Sequence, residues 1–168
     1  MTTVALTRLH NDDFGYSSNC FVCEQTNDLG LRIPFFHDTV RQVVTADFRL
    51  SNTYSGAPTM VHGGVLLAVL DEAMAWACIA IARQWAVTTE TSTSFRRAVL
   101  VDVRHTVEAE IVDTAETDTE IVTIGRILDT TGAVCAAARA TFTALGEAQL
   151  KKAAGETGDH LHESVKLD

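Results

Sequence analysis

The residues best suited to chemistry are a His-Gly-Gly triplet, His62–Gly64, and an acidic residue, Asp71, eight positions after Gly63. The first N–H groups of a helix lack intrahelical partners and lie at the positive end of its dipole, so Gly63 and Gly64 could stabilise a developing oxyanion. Asp71 could then serve as base or nucleophile. Because eight residues of helix span about 12 Å, one carbonyl cannot touch both places on one helix. A shared reaction would therefore need two chains with antiparallel helices.

Each of these residues also has a purely structural interpretation. Gly-Gly before a helix can simply mark where the helix starts, and a buried Asp can be a satisfied polar group. The combination of His-Gly-Gly with a carboxylate in an otherwise apolar helix favours a site. Adjacent helix residues point about 100° apart, so only one of Asp71 and Glu72 can face that site. Glu72 is predicted to be a structural partner of a main-chain or arginine group.

The segment that carries Asp71 is predicted to be a long buried helix, from about residues 62–64 to Gln84. It is apolar on all sides except for Asp71 and Glu72, and such a helix outside lipid must be buried in protein. The apolar halves on either side of the acids are shorter than the roughly 20 residues that cross a bilayer. Six other runs have the composition and alternation of strands: Leu31–His37, Val40–Leu50, Val87–Arg97, Val103–Asp113, Thr119–Leu128 and Ala133–Ala144.

The order of these elements predicts an α+β domain in which an antiparallel β-sheet wraps around one long central helix. Short turn-like connections between the later strands favour antiparallel pairing. We place this domain at residues 31–145, after an irregular or short helical segment at 1–30 and before a polar tail at 146–168. One sheet covers only part of a helix that is apolar all round, so a second copy of the chain is the expected cover.

Charge and cysteine content exclude several classes of partner. The net charge of −9 argues against sequence-independent binding of nucleic acid and against docking on anionic membranes, but a few arginines can still hold a small anion. No basic start followed by an apolar stretch opens the chain, so a cytoplasmic location is expected. Cys20 and Cys23 form a lone C-x-x-C with no second pair of ligands at a suitable spacing. A plain turn is therefore predicted there rather than a metal site.

Several of these residues also carry a family resemblance. The run from Tyr54 to Gly64 reads Tyr-Ser-Gly-Ala-Pro-Thr-Met-Val-His-Gly-Gly, with Asp71 after six more residues. It resembles the Y-x-G-x-P-x-x-x-H-G-G-x6-D signature of hotdog-fold acyl-CoA thioesterases, most closely the phenylacetate-degradation type and the mammalian thioesterase-superfamily proteins. The C-x-x-C with the following Gly30-Leu31, and the segment Phe95–Arg97, are similar to further family features. The resemblance spans about residues 20–144.

The resemblance implies an acyl-CoA thioesterase that releases a carboxylic acid and free coenzyme A. It implies no metal or redox cofactor, because coenzyme A enters only as part of the substrate. The Gly63 N–H would polarise the thioester carbonyl, His62 would help to orient the thioester, and Asp71 of the partner chain would be the nucleophile or the general base. The expected assembly is a homodimer with shared active sites, or a tetramer of two such dimers.

The remaining predicted site residues also come from the resemblance. Thr88 falls where the family has a Ser or Thr that positions the water, and Thr89 is the alternative alignment. Arg96 and Arg97 fall where basic residues often meet the phosphates of coenzyme A. Gly64 and Thr89 are grouped with these two arginines as substrate-binding residues.

The chain departs from the family pattern at two positions. Some members carry Asn or Gln where Gly56 stands, six residues before the His, and Pro where Ala98 stands. The missing polar side chain at Gly56 keeps open a non-catalytic acyl-CoA-binding hotdog protein. A hotdog enoyl-CoA hydratase or dehydratase is a further alternative, although the chain lacks the H-F-P-type segment of those enzymes. The acyl group cannot be identified from the sequence.

Overall fold

The computed structural model describes residues 5–14, 18–114 and 119–153. Within these ranges the helices are α1 (Gly63–Ala80) and α2 (Glu147–Ala153), and two short 3₁₀ helices occur at Asn11–Phe14 and Asn52–Tyr54. The strands are β1 (Leu6–Arg8), β2 (Phe36–Asp38), β3 (Val43–Phe48), β4 (Ser55–Ala57), β5 (Met60–Val61), β6 (Ala86–Phe95), β7 (His105–Thr114), β8 (Glu120–Leu128) and β9 (Val134–Ala144).

Seven of these strands form one antiparallel sheet around α1. Their order in the sheet is β1-β2-β3-β7-β8-β9-β6, and β4 and β5 form a separate small hairpin. Helix α1 packs against β3 and against β6 to β9. The predicted α+β architecture, an antiparallel sheet wrapped around one long helix, is confirmed.

The contact between α1 and the sheet follows from strand alternation. In β8 the side chains of Ile121, Thr123 and Ile127 are buried, whereas the residues between them are more exposed. Gly125 lies on the same buried face, where a Cβ atom would come within 3.2 Å of Leu70 Cδ2 and Met74 Cγ. The absence of a side chain at Gly125 therefore lets α1 pack directly against the sheet backbone.

Helix α1 ends at Ala80 rather than at the predicted Gln84. Arg83 adopts the left-handed conformation with φ of 59°, and the Gln84 N–H donates to the Cys78 carbonyl at 3.0 Å. By length and composition alone α1 could cross a membrane, but this is weak evidence, because the buried helix of a protein core meets the same criteria. Half of the helix is buried inside the chain.

The strands before α1 differ from the prediction more than those after it. β1 was not predicted, and it extends the sheet by pairing with β2. The predicted strand Val40–Leu50 is shortened to β3, because residues 39–42 form a turn in which Gln42 has φ of 53°. The predicted strand Leu31–His37 is replaced by the shorter β2, because the N–H groups of Leu31 and Ile33 donate to the Phe21 and Val22 carbonyls instead of to a strand. The β4–β5 hairpin lies between β3 and α1, where no strand was predicted. The four strands after α1 are confirmed, with ends within two residues of those predicted. Of the predicted tail, residues 154–168 lie outside the described residues.

Candidate active site

The N-terminus of α1 presents one backbone N–H that the helix and its cap leave unused. His62 is the N-cap residue, and its ring Nδ1 accepts a hydrogen bond from the Gly64 N–H at 2.9 Å. Within the described residues, the Gly63 N–H donates to no acceptor. Both glycine N–H groups were predicted to be available to a ligand. In the structure the Gly64 N–H is used by the helix cap, and only the Gly63 N–H is available.

The signature residues before α1 hold this N-terminus in place. The His62 N–H donates to the Tyr54 carbonyl at 2.9 Å, and the Tyr54 hydroxyl donates to the Gly30 carbonyl at 3.0 Å. A Cβ atom at Gly56 would lie 3.0 Å from the His62 Cα, closer than unstrained packing allows. A side chain at residue 56 would push against the backbone of His62, which explains physically why glycine stands here.

A groove of about 380 Å³ runs beside the unused Gly63 N–H. Its walls include Met60, Gly63, Leu66, Phe95, Arg96 and Arg97. The backbone N–H groups of both arginines donate to the Cys135 carbonyl, at 2.7 and 3.0 Å, which fixes the start of the segment after β6. The Arg97 side chain lies 3.7 Å from Asp129, whereas that of Arg96 forms no ion pair among the residues described. The structure thus brings both predicted arginines to the groove that borders Gly63.

Asp71 lies on α1 eight residues after Gly63, away from this groove, and it is hydrogen-bonded to β6. The Thr88 hydroxyl donates to Asp71 Oδ1 at 2.7 Å, and both residues are partly buried. A hydroxyl this close holds the carboxylate in one orientation. Two residues that were predicted to act on the same water molecule are therefore adjacent.

A β-bulge in β6 distinguishes Thr88 from the alternative, Thr89. The register with β9 shifts after Thr88, so Thr89 is an extra residue and Thr88 and Thr91 face the same side of the sheet. Strict alternation would have placed Thr88 and Thr91 on opposite faces. The Thr89 hydroxyl donates instead to the Thr141 carbonyl of the neighbouring strand, at 3.0 Å. The geometry places Thr88, and not Thr89, beside Asp71.

The predicted site residues therefore form two groups on one chain. His62, Gly63, Gly64, Arg96 and Arg97 lie at the N-terminal end of α1, and Asp71 and Thr88 lie about 12 Å further along the helix axis. The separation of Gly63 and Asp71 agrees with the value predicted from helical spacing, because α1 is continuous from Gly63 to Ala80.

Glu72 contacts a group that was not predicted. The Cys20 thiol donates to Glu72 Oε1 at 3.4 Å, so the expected main-chain or arginine partner is wrong. The reason is the helical rotation of about 100° from Asp71, which turns Glu72 towards the C-x-x-C turn. Burial raises the pKa of Glu72 to about 8. A hydrogen bond from the Cys23 thiol lowers the pKa of Cys20 to about 5, and the same contact raises the pKa of Cys23.

Comparison with known proteins agrees with this architecture. Residues 59–126, which include His62–Gly64 and Asp71, match the model of the thioesterase superfamily. The chain has the hotdog fold. The predicted resemblance to thioesterase-superfamily and phenylacetate-degradation-type hotdog proteins is confirmed at this level. Comparison with curated proteins gives no match.

Solved hotdog structures are similar to the chain at low sequence identity. Protein RHA08564, a thioesterase superfamily protein, has a TM-score of 0.71 and 23% identity, over 79% of this chain and 63% of its own. This chain thus spans less than two thirds of RHA08564. The E. coli PaaI protein from the phenylacetic acid degradation operon has a TM-score of 0.61 and 19% identity, over 69% and 81%. A hypothetical thioesterase protein with coenzyme A from Streptococcus pneumoniae has a TM-score of 0.57 and 22% identity, over 62% and 79%.

Proposed function

We propose that the protein is an acyl-CoA thioesterase whose active sites are shared between two copies of the chain. The observation that carries this proposal is the hydrogen bond between Thr88 and Asp71, on the helix that also presents an unused N–H at Gly63. The match to the thioesterase superfamily supports a thioester substrate. The similar structure from S. pneumoniae contains coenzyme A, which supports this ligand class.

The shared site follows from the separation of Gly63 and Asp71 on α1. Strand β6 is an edge of the sheet and pairs, within the described part of the chain, only with β9. An edge strand of ten residues is a template for a further strand. If the β6 strands of two copies pair antiparallel, the two α1 helices also run antiparallel. Gly63 of one copy then lies opposite Asp71 of the other.

In this arrangement each residue has a defined task. The Gly63 N–H donates to the thioester carbonyl oxygen and stabilises the negative charge that forms there. Asp71 either removes a proton from a water molecule beside Thr88 or attacks the carbonyl carbon itself. In both routes the C–S bond breaks, the electron pair leaves on the sulfur of coenzyme A, and that sulfur takes up a proton. Direct attack gives an anhydride on Asp71, which water then hydrolyses.

The groove beside Gly63 suits the phosphates of coenzyme A. Arg96 and Arg97 line it, and a guanidinium group can bind a phosphate with two parallel hydrogen bonds. The negative net charge does not oppose such a ligand, because two arginines line the groove and the Arg96 side chain forms no ion pair among the residues described.

The proposal is tested by release of free coenzyme A from a panel of aliphatic and aromatic acyl-CoA substrates. We expect turnover of at least one substrate by the wild-type protein and its loss in Asp71→Asn. Tight binding of acyl-CoA without turnover would instead identify a non-catalytic binding protein. Addition of water to an enoyl-CoA without thiol release would identify a hydratase.

A further inference from the structure

Three side chains that the proposed hydrolysis does not use converge beside the middle of α1. Cys20 and Cys23 come from the C-x-x-C turn, and Glu72 comes from α1. Their two sulfur atoms and one carboxylate oxygen all lie within 4.8 Å of one another. Because Glu72 points about 100° away from Asp71, this cluster is distinct from the contact between Asp71 and Thr88.

We propose that Cys20, Cys23 and Glu72 bind one Zn²⁺ ion, which ties the turn at residues 20–23 to the middle of α1. Thiolate and carboxylate groups are both ligands of zinc, and thiolates select it over hard cations such as Mg²⁺ and Ca²⁺. A tetrahedral ion with Zn–S of about 2.3 Å and Zn–O of about 2.0 Å separates its sulfur and oxygen ligands by roughly 3.5 Å. The distance from Cys20 Sγ to Glu72 Oε1 is 3.4 Å.

The turn is already arranged to stabilise a thiolate at Cys20. The backbone N–H groups of Val22 and Cys23 both donate to Cys20 Sγ, at 3.3 and 3.4 Å. The Asn11 side-chain amide lies 3.7 Å from Cys23 Sγ as a donor to the second sulfur. Donors of this kind around metal-bound sulfur orient the ligands and stabilise their negative charge. Sequence distance hides the cluster, since 49 residues separate Cys23 from Glu72.

Within the described ranges, no Lys or Arg side chain is paired with the carboxylate of this cluster, since none of the ion pairs involves Glu72.

The fourth ligand position would face a cavity. Cys20 and Glu72 line a pocket of about 300 Å³, together with Asn11, Ser18 and Trp76. This pocket has room for a water molecule on the ion, so three protein ligands are sufficient for a tetrahedral site. The ion would have one open position, would join two segments of the chain and would face away from Asp71.

The test is metal analysis of the whole chain after removal of metal with a chelator and reloading with Zn²⁺. We expect about one Zn²⁺ per chain after gel filtration, and a thiolate-to-metal charge-transfer band when Co²⁺ is used instead. The test variants are Cys20→Ser, Cys23→Ser and Glu72→Gln. Each should weaken Zn²⁺ binding by at least about tenfold, since loss of an outer-shell partner alone commonly has that effect.

The matched control is Cys135→Ser, which changes a buried cysteine outside the cluster. It should retain the wild-type Zn²⁺ content. Labelling of Cys20 and Cys23 by iodoacetamide, located by mass spectrometry, should be slower with Zn²⁺ present. Absence of Zn²⁺ from the wild type, or full Zn²⁺ content in the Cys20→Ser and Cys23→Ser variants, would overturn the proposal. So would formation of a Cys20–Cys23 disulfide at the same rate with and without Zn²⁺.

These outcomes are separable from the thioesterase proposal. Asp71→Asn should abolish hydrolysis and still bind about one Zn²⁺ per chain, because Asp71 is not among the proposed ligands. A protein that binds Zn²⁺ at the cluster but hydrolyses no acyl-CoA would support the metal site and contradict the proposed function.

Discussion

Asp71 and Glu72 are neighbours on one helix, yet their carboxylates face different parts of the molecule. Asp71 accepts a hydrogen bond from the Thr88 hydroxyl on the edge strand, whereas Glu72 accepts one from the Cys20 thiol of the N-terminal turn. Both residues have the same helical backbone conformation, and both are partly buried. A rotation of about 100° therefore decides which chemistry each carboxylate can serve.

The difference shows how one buried helix can carry two neighbouring carboxylates that contact different groups. Where α1 meets β6, the opposing groups are hydroxyls of an edge strand, which suit a carboxylate that handles water. Where it meets the turn at residues 20–23, the opposing groups are thiols, which suit a soft metal ion. The role proposed for each acid thus depends on the element opposite to it rather than on the type of the residue.

The largest effect is expected from Asp71→Asn. The amide keeps the shape of the side chain but can neither remove a proton nor attack a carbonyl, so kcat should fall by about 10²–10⁴-fold. The decrease in kcat caused by Glu72→Gln should be at least about tenfold smaller than the decrease caused by Asp71→Asn. The check is steady-state hydrolysis of the best acyl-CoA substrate. An equal or larger loss in Glu72→Gln would reverse the assignment of the two carboxylates.

A smaller loss is expected when the partner of Asp71 is changed. Thr88→Val removes the hydroxyl that donates to Asp71 Oδ1, and a hydrogen bond to a charged group contributes about 1.5–3 kcal/mol. We expect a fall in kcat of about 10–100-fold, with partial recovery in Thr88→Ser. Thr89→Val serves as the comparison, because its hydroxyl points to the Thr141 carbonyl. A greater loss in Thr89→Val than in Thr88→Val would favour the alternative alignment.

A substitution in the sheet opposite a third face of α1 should change the stability of the protein rather than its activity. At Gly125 an added Cβ would meet Leu70 and Met74 at 3.2 Å, so Gly125→Ala should overpack the core. We expect a loss of about 1–3 kcal/mol in the free energy of unfolding, measured by urea denaturation. Gly146→Ala is a suitable control, since the nearest atom to its Cβ would be at 3.5 Å and belongs to a flexible Gln149 side chain. Equal stability of Gly125→Ala and the wild type would contradict the close contact between helix and sheet.

The smallest effect is expected from a buried histidine away from the helix, which supplies a baseline for pH effects. Burial, followed by the nearby Arg83, lowers the pKa of His37 on β2 below its ordinary 6.5. The unfolded chain therefore takes up a proton first as the solution is acidified. The free energy of unfolding should decrease as the pH falls from about 6.5 towards the lower pKa of the folded state. The decrease should be smaller in His37→Gln, when urea denaturation is compared at pH values above and below this window.

The sequence predicts the parts of the fold that repeat a simple period. Helix α1 and strands β6 to β9 have clear hydrophobic patterns, so their positions are predicted well. β1 has three residues, of which Leu6 and Thr7 are exposed, so no alternating pattern marks it. The bulge at Thr89 interrupts the period of two, and only the register with β9 reveals it. Strict alternation along the sequence therefore assigns the residues of β6 beyond Thr89 to the wrong faces.

The candidate site is predicted in its residue types but not in all of its contacts. The helical spacing of Gly63 and Asp71 is local, so the sequence contains it. The contact between Cys20 and Glu72 joins residues 52 positions apart and depends on how the N-terminal segment packs on α1. The hydrogen bond from Gly64 to the His62 ring is local, but it depends on a side-chain rotamer that a motif does not specify.

The most direct test of a shared thioesterase site is complementation between two inactive variants. Gly63→Pro removes the N–H at the first residue of α1, where proline is well accommodated because His62 before it is extended, with φ of −62° and ψ of 133°. Asp71→Asn removes the carboxylate. The two variants are co-expressed with different tags, and the mixed dimer is isolated through both tags.

In the mixed dimer one site combines an intact Gly63 with an intact Asp71, and the other site lacks both. We expect about half of the wild-type acyl-CoA hydrolysis per dimer, while each variant alone is inactive. If Gly63 and Asp71 acted within one chain, both sites of the mixed dimer would be defective. A mixed dimer without activity would therefore contradict the shared site.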